Sequence, residues 1–300
     1  MQENHLMLIP RPALFSFQEC IWFLNRNYDD CLHTIRDATV TKAVAFGSND
    51  LLFKVREEGA FLRIEVLSGA PDTALKNQLV DYVTFWFDLE RDITPFYQLL
   101  ETDPKLAYMA TDYKGLRLMG IEDLFEVLCW SIIGQQINLT FAYKLKRRLV
   151  ERYGRKIEYA GEVHFIFPDP EVLAGADLAE LRVMQFSLKK AEYIIGMANV
   201  FKTGMLSREM IVNEPDFEAR QKKLTSFKGI GVWTANYALM KSLRDSAGIP
   251  HGDVGLLKAL QHHNFIADRK ESTKINVLLS RFKGWESYLV FYLWRSLAPK

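Results

Sequence analysis

Phe227-Lys228-Gly229-Ile230-Gly231, with a helix opening directly at Val232, constrains this chain more than any other stretch. Glycines one residue apart allow positive φ and a close backbone approach. Phe227 and Ile230 are apolar and can pin the turn to a helix on either side. The preceding helix is predicted to start at Asn213-Glu214-Pro215, a capping amide followed by a proline in the first turn, and to run to about Thr225. The following helix, Val232-Trp233-Thr234-Ala235-Asn236-Tyr237-Ala238-Leu239, would aim its free N–H groups and positive dipole end out of the turn, at a phosphate. Lys228 adds charge at the tip. A plain helix–turn–helix corner with a glycine cap would also use two glycines. The full run of apolar-x-Gly-apolar-Gly before a helix is more specific than that.

Further on comes Pro250-His251-Gly252-Asp253-Val254, a proline- and glycine-marked loop. The spacing of Leu256, Leu257 and Leu260 then predicts a helix with Asp253 at its start. Aspartate is a good N-cap. A capping carboxylate is also rigid and ionised, so a cap and a catalyst are compatible. Breaking an N-glycosidic bond puts positive charge on the sugar, and a fixed carboxylate stabilises that state and orients water. His251 reads as a surface loop residue.

Hairpin and aspartate together resemble the helix–hairpin–helix superfamily of DNA glycosylases, and FKGIGVWTANYAL is similar to the AlkA-type alkylpurine glycosylases (DNA-3-methyladenine glycosylase II). The resemblance implies that Asp253 is the catalytic carboxylate. It implies DNA contacts at Lys228, Gly229, Gly231, Val232 and Thr234. Members that also nick the strand carry a nucleophilic lysine where this chain has Trp233, so the resemblance implies a monofunctional hydrolase using water. Trp233 and Tyr237 share a helix face and are expected in the base pocket, with ordinary core packing as the alternative. Trp285 is expected to join them, within Phe282-Lys283-Gly284-Trp285-Glu286-Ser287-Tyr288, where Gly284 and Glu286 replace the family's proline and arginine. Tyr288 and Trp294 are read as core. Aromatic walls suit a cationic methylated purine, at roughly 0.5–2 kcal/mol per cation–π contact.

Glu122 to Tyr153 reads as two helices broken at Gly134-Gln135-Gln136-Ile137, with Asn138 as a cap and Gly154 as a stop. The break resembles the family's Gly-Gln turn, which places Gln135 and Gln136 at DNA, with Gln136 as the residue that fills the gap left by an extruded base. A polar helix–helix turn is the alternative. Leu181 to Tyr193 resembles another family segment, with Gln185 where glycine is usual. Lys189 and Lys190 there could reach phosphate or form a solvated face.

Residues 1–100 differ in character. Leu51–Arg56 and Phe61–Leu67 alternate apolar and polar residues around Glu57-Glu58-Gly59, a β-hairpin signature. Cys20–Phe23 and Ala43–Phe46 are further strand candidates, and Ala74–Phe87 reads as a helix. The expected fold is α+β: a small antiparallel sheet with helices in residues 1–100, then a larger all-α helix–hairpin–helix domain of two lobes in residues 101–300.

The net charge of +1 looks wrong for a DNA-binding chain, but its distribution does not. Residues 1–100 hold 9 Lys and Arg against 14 Asp and Glu, whereas residues 201–300 hold 16 against 9, a net of +7. The basic third carries the hairpin and Asp253, as backbone binding requires. The 3 cysteines, Cys20, Cys31 and Cys129, are scattered, which excludes the iron–sulfur branch of the superfamily and suggests a reducing compartment. MQENHLMLIPRPALF does not read as a signal peptide, and no segment is apolar enough to span a membrane. The expectation is therefore a cytoplasmic monomer, at the nucleoid of a bacterium, acting on double-stranded DNA with a damaged base. It would excise alkylated purines, chiefly 3-methyladenine and also 7-methylguanine. The alternatives are a glycosylase for oxidised or deaminated purines, or a non-catalytic DNA-binding protein. No free cofactor is implied. The resemblance adds a structural Na+ or K+ on the backbone carbonyls of Thr225, Phe227 and Ile230.

Overall fold

A computed structural model describes residues 5–26 and 28–298. The chain opens with β1 (Leu6–Pro10), α1 (Phe17–Leu24), β2 (Thr34–Arg36), β3 (Thr39–Phe46), β4 (Asn49–Glu58) and β5 (Phe61–Ser68). These strands form an antiparallel five-stranded sheet in the order β1-β5-β4-β3-β2. Inward residues of β4 and β5, such as Phe53, Val55, Leu62 and Ile64, are fully buried, which is the alternation expected from the sequence. Cys20–Phe23 is not a strand but part of α1. The short apolar run is ambiguous by itself, and the Ser16 hydroxyl accepting the Glu19 N–H at 3.2 Å makes it the first turns of a helix.

Helices follow: α2 (Thr73–Phe87), α3 (Thr94–Glu101), α4 (Met109–Asp112), α5 (Leu124–Gly134) and α6 (Leu139–Tyr153). Asn138 caps α6 by accepting the Phe141 N–H at 2.9 Å, and Gly154 closes it, as expected. A second, two-stranded sheet, β6 (Arg155–Tyr159) and β7 (Glu162–Ile166), interrupts the helical part and was not anticipated. Its signal is short: alternation in Lys156–Tyr159 and Val163–Ile166 around Ala160-Gly161, both at positive φ as a two-residue hairpin turn needs. Ile157 and Ile166 pack on Ala43 and Leu52 of the larger sheet.

The chain continues through α7 (Pro170–Ala174), α8 (Leu178–Val183), α9 (Leu188–Lys202), α10 (Arg208–Val212), α11 (Phe217–Thr225) and α12 (Val232–Ala238), then a π-helical turn at Leu239–Leu243. It ends with α13 (Val254–His262), α14 (Ser272–Ser280) and α15 (Glu286–Arg295). Asn213 does not start α11; it ends α10. Asp216, beyond Pro215, takes the cap instead and accepts the Ala219 N–H at 2.8 Å.

Two large cores result. One joins the sheet, α2 and α3 to the C-terminal helices α13 to α15; the other is built from α5 to α12. The chain thus leaves the first core after Met119 and returns to it at Met240. The division expected at residue 100 does not follow this packing, because Leu106, Leu116 and Leu118 belong with the sheet. Buried Asp88 helps to close the return, receiving the Arg244 guanidinium at 2.6 Å and the Tyr288 hydroxyl. Among the described residues, no helix is long and apolar enough to cross a membrane.

Candidate active site

The hairpin joins α11 to α12 at the surface. The Ile230 N–H closes the turn on the Phe227 carbonyl at 3.1 Å, and Ile230 is buried, as its apolar character requires. Gly229 stands at φ +91°, and a Cβ there would lie 2.6 Å from the Tyr193 ring. Its glycine is therefore fixed twice, by conformation and by close approach. Gly231 is the N-cap of α12 with no side-chain cap, and Val232 is half exposed, so α12 begins at the surface with first-turn N–H groups that have no side-chain partner. Lys228 is exposed beside them.

Gln135 and Thr234 have a different placement from the one expected. The Gln135 amide donates to the Gly229 carbonyl at 3.1 Å and to the Thr234 hydroxyl at 3.2 Å, and Thr234 is buried. Their side chains tie the Gly134–Ile137 turn to the hairpin rather than reaching outward. Gln136 is exposed, in the left-handed region at φ 57°.

Asp253 caps α13, and its Oδ1 accepts the Leu256 N–H at 2.8 Å. The same oxygen accepts the Trp294 indole N–H at 2.9 Å. Among the described residues no donor engages Oδ2. Gly255 permits this arrangement: a Cβ there would come within 3.1 Å of Asp253 Oδ1 and 3.2 Å of the Trp294 indole.

Trp233 and Tyr237 stack at 5.5 Å and 11° on α12, and Tyr237 lies 6.4 Å from the Trp294 ring. Trp294, read as core from the sequence, is thus the aromatic that meets the aspartate. Trp285 is not part of this group. Its ring lies 5.9 Å from Phe96 and 5.5 Å from Tyr288, under the Arg91 guanidinium. The two tryptophans sit at opposite ends of α15, and only the end near α13 meets Asp253. A helix-periodic aromatic run cannot tell those ends apart.

Beyond Tyr237 a small cavity opens between the two cores, with Trp130, Tyr143, Asp30, Glu126 and Lys146 in its lining. Burial pushes the Tyr237 phenol up to about 12, so it stays neutral. Lys146 sits 3.3 Å from Asp30 and 3.5 Å from Glu126. The three cysteines are free, with Cys20 and Cys129 buried in different cores.

The hairpin, the Asp253 carboxylate and the stacked aromatics thus meet at a seam between the two cores. Residues 129–283 match the HhH-GPD superfamily base excision DNA repair proteins, and residues 31–128 match the 8-oxoguanine DNA glycosylase N-terminal domain. The chain belongs to the HhH-GPD superfamily and is a DNA glycosylase of base excision repair. It is 38% identical to the DNA-3-methyladenine glycosylase of Bacillus subtilis, over 98% of both chains. It is 32% identical to DNA-3-methyladenine glycosylase 2 of Escherichia coli, over 60% of each. The fold matches the 3-methyladenine DNA-glycosylase of Archaeoglobus fulgidus at a TM-score of 0.80 and 23% identity, covering 96% of this chain and 97% of that one. It also matches the Clostridium acetobutylicum 8-oxoguanine glycosylase/lyase at 0.75 and 19%, covering 98% and 96%.

Proposed function

We propose that this glycosylase removes alkylated purines, chiefly 3-methyladenine and also 7-methylguanine, by hydrolysis and without nicking the strand. The observation that carries the reading is the group formed by Asp253, Trp294, Tyr237 and Trp233. The hairpin and the N-terminus of α12 hold the backbone, and the damaged nucleotide rotates out of the duplex. Extrusion costs a few kcal/mol, less for a poorly stacked damaged base. A cationic purine then meets the electron-rich faces of the aromatic group. It is already a good leaving group, so the protein need supply little acid. Asp253, oriented through Oδ1 by Trp294 and the Leu256 N–H, offers Oδ2 to the positive sugar and to the attacking water.

Trp233 stands where strand-nicking relatives use lysine, which favours water as the nucleophile. The name of the Bacillus relative supports alkylated purines as the substrate class. Gln136, exposed on its left-handed backbone, fills the gap in the stack. The carbonyls of Thr225, Phe227 and Ile230 would hold a monovalent cation, whose charge would draw a phosphate. An all-oxygen donor set suits a hard cation, and the Phe227 carbonyl, which accepts the Ile230 N–H at 3.1 Å, keeps a second lone pair for it. The protein acts as a monomer on duplex DNA in the cytoplasm.

Oxidised purines are the second reading, favoured by the N-terminal match to 8-oxoguanine glycosylases. Release assays on methylated and on 8-oxoguanine duplexes, each with borohydride, test both. Release of methylated purine without a trapped protein–DNA adduct is expected. An adduct, or release of 8-oxoguanine alone, contradicts the proposal.

A further inference from the structure

Lys190 is a buried cation without an anion. It lies in the first turn of α9 and is 9% exposed, whereas its neighbour Lys189 is exposed. It neither reaches for phosphate nor forms a solvated face, the two roles its sequence suggests. Among the described residues no ion pair engages it. Its ammonium donates instead to the Ile133 carbonyl at 2.8 Å.

That carbonyl belongs to the last turn of α5, where backbone oxygens lose their helical partners and the dipole is negative. The Gln135 N–H takes the Ile132 carbonyl at 3.3 Å, and Lys190 takes the next one. The chain then turns through Gly134 and Gln135 to Gln136, which is held at φ 57°. A non-glycine residue in that region persists only where the chain around it is fixed. Gln135 fixes the far side of the turn to Gly229 and Thr234. Lys190 fixes the near side.

Tyr193 stands three residues along α9, on the same helix face. Its ring is the surface against which Gly229 packs. The Lys228 ammonium lies 6.0 Å from that ring. One turn of α9 therefore braces both DNA-facing segments, the hairpin through Tyr193 and the Gln135–Gln136 turn through Lys190.

We propose that Lys190 is a positioning residue for base extrusion, holding the end of α5 through the Ile133 carbonyl so that Gln136 keeps its register against the phosphate-gripping hairpin. The proposal rests on the reading of Gln136 as the residue that fills the vacated stack. A lysine that only sealed the core would affect every substrate alike. A lysine that positions Gln136 matters most where extrusion is hardest.

The test follows stopped-flow fluorescence of 2-aminopurine placed beside a single 7-methylguanine, which brightens as that nucleotide leaves the stack. The lesion is presented either paired in a duplex or unpaired in a one-base bulge. Lys190→Met should bind the paired duplex with nearly wild-type affinity but extrude the base ~10-fold more slowly, with little slowing at the bulge. Lys190→Arg, which keeps a charged donor, should recover most of the rate. Equal slowing on both substrates, wild-type rates for Lys190→Met, or no recovery with arginine would each overturn the proposal. Should Lys190→Met not fold by thermal melting, Lys190→Gln carries the same comparison with a shorter neutral donor. A wild type that extrudes the base without releasing it counts against the proposed chemistry and leaves the Lys190 comparison readable. A wild type that gives no extrusion signal overturns both.

Discussion

Trp294 donates its indole N–H to Asp253 Oδ1 across 2.9 Å, joining the C-terminal turn of α15 to the N-cap of α13. With the Leu256 N–H on the same oxygen, the bond fixes the carboxylate plane and leaves Oδ2 without a donor among the described residues. Trp294→Phe keeps a ring beside Tyr237 and removes only the donor. We expect single-turnover release to fall ~10-fold or more, the order lost with one preorganised hydrogen bond, while lesion-DNA affinity changes little. Unchanged release would show that Asp253 needs no such orientation.

Gly229→Ala tests the grip. The new methyl meets the Tyr193 ring in a backbone conformation unfavourable to alanine by roughly 1–2 kcal/mol. Titration of duplex DNA should show weaker binding for damaged and undamaged sequences alike. Selective loss of damaged-site binding would place Gly229 in recognition of the lesion instead.

Lys228→Met should weaken binding uniformly and lower the slope of log affinity against log salt by about 1, the change expected for one lost phosphate contact. An unaltered slope would mean that Lys228, though exposed at the hairpin tip, does not meet the backbone.

Acid stability should depend on Asp30. Burial alone would raise its carboxyl, but Lys146 and then His33 outweigh burial and hold it well below the usual carboxylate range. A depressed folded pKa contributes stability above the unfolded value of 3.8 and loses it as pH falls toward the folded value. The thermal stability of the wild type should therefore fall as pH drops below about 4. Asp30→Asn should be less stable at neutral pH and show a flatter acid limb. Its cost should stay under the roughly 3–5 kcal/mol of a fully broken buried pair, because Glu126 still faces Lys146.

The sequence carried the hairpin, the aspartate and the sheet because each is a local pattern. Gly229, Ile230 and Gly231 mark their turn by themselves, and the alternation of β4 and β5 needs no partner to be read. What was not legible depends on distant parts of the chain. Trp285 and Trp294 are equally aromatic, one at the N-cap of α15 and one in its last turn, and only the docking of α15 against α13 decides which meets Asp253. Lys190 looked like its exposed neighbour Lys189 until the end of α5 was packed against α9. The split core is of the same kind, since Leu106 and Leu118 join Tyr288 and Phe291 only after the chain has made its excursion through α5 to α12. Gln185 is a local exception. It stands at φ 74°, holding the conformation that the family's glycine would supply.

Asp253 is the residue on which the proposed hydrolysis of an alkylated purine from DNA turns. Single-turnover release of 3-methyladenine from methylated duplex DNA, wild type beside Asp253→Asn, tests it most directly. Release by the wild type and a loss of ~100-fold or more in the variant, with DNA binding retained, are expected. Equal release by both proteins would contradict it.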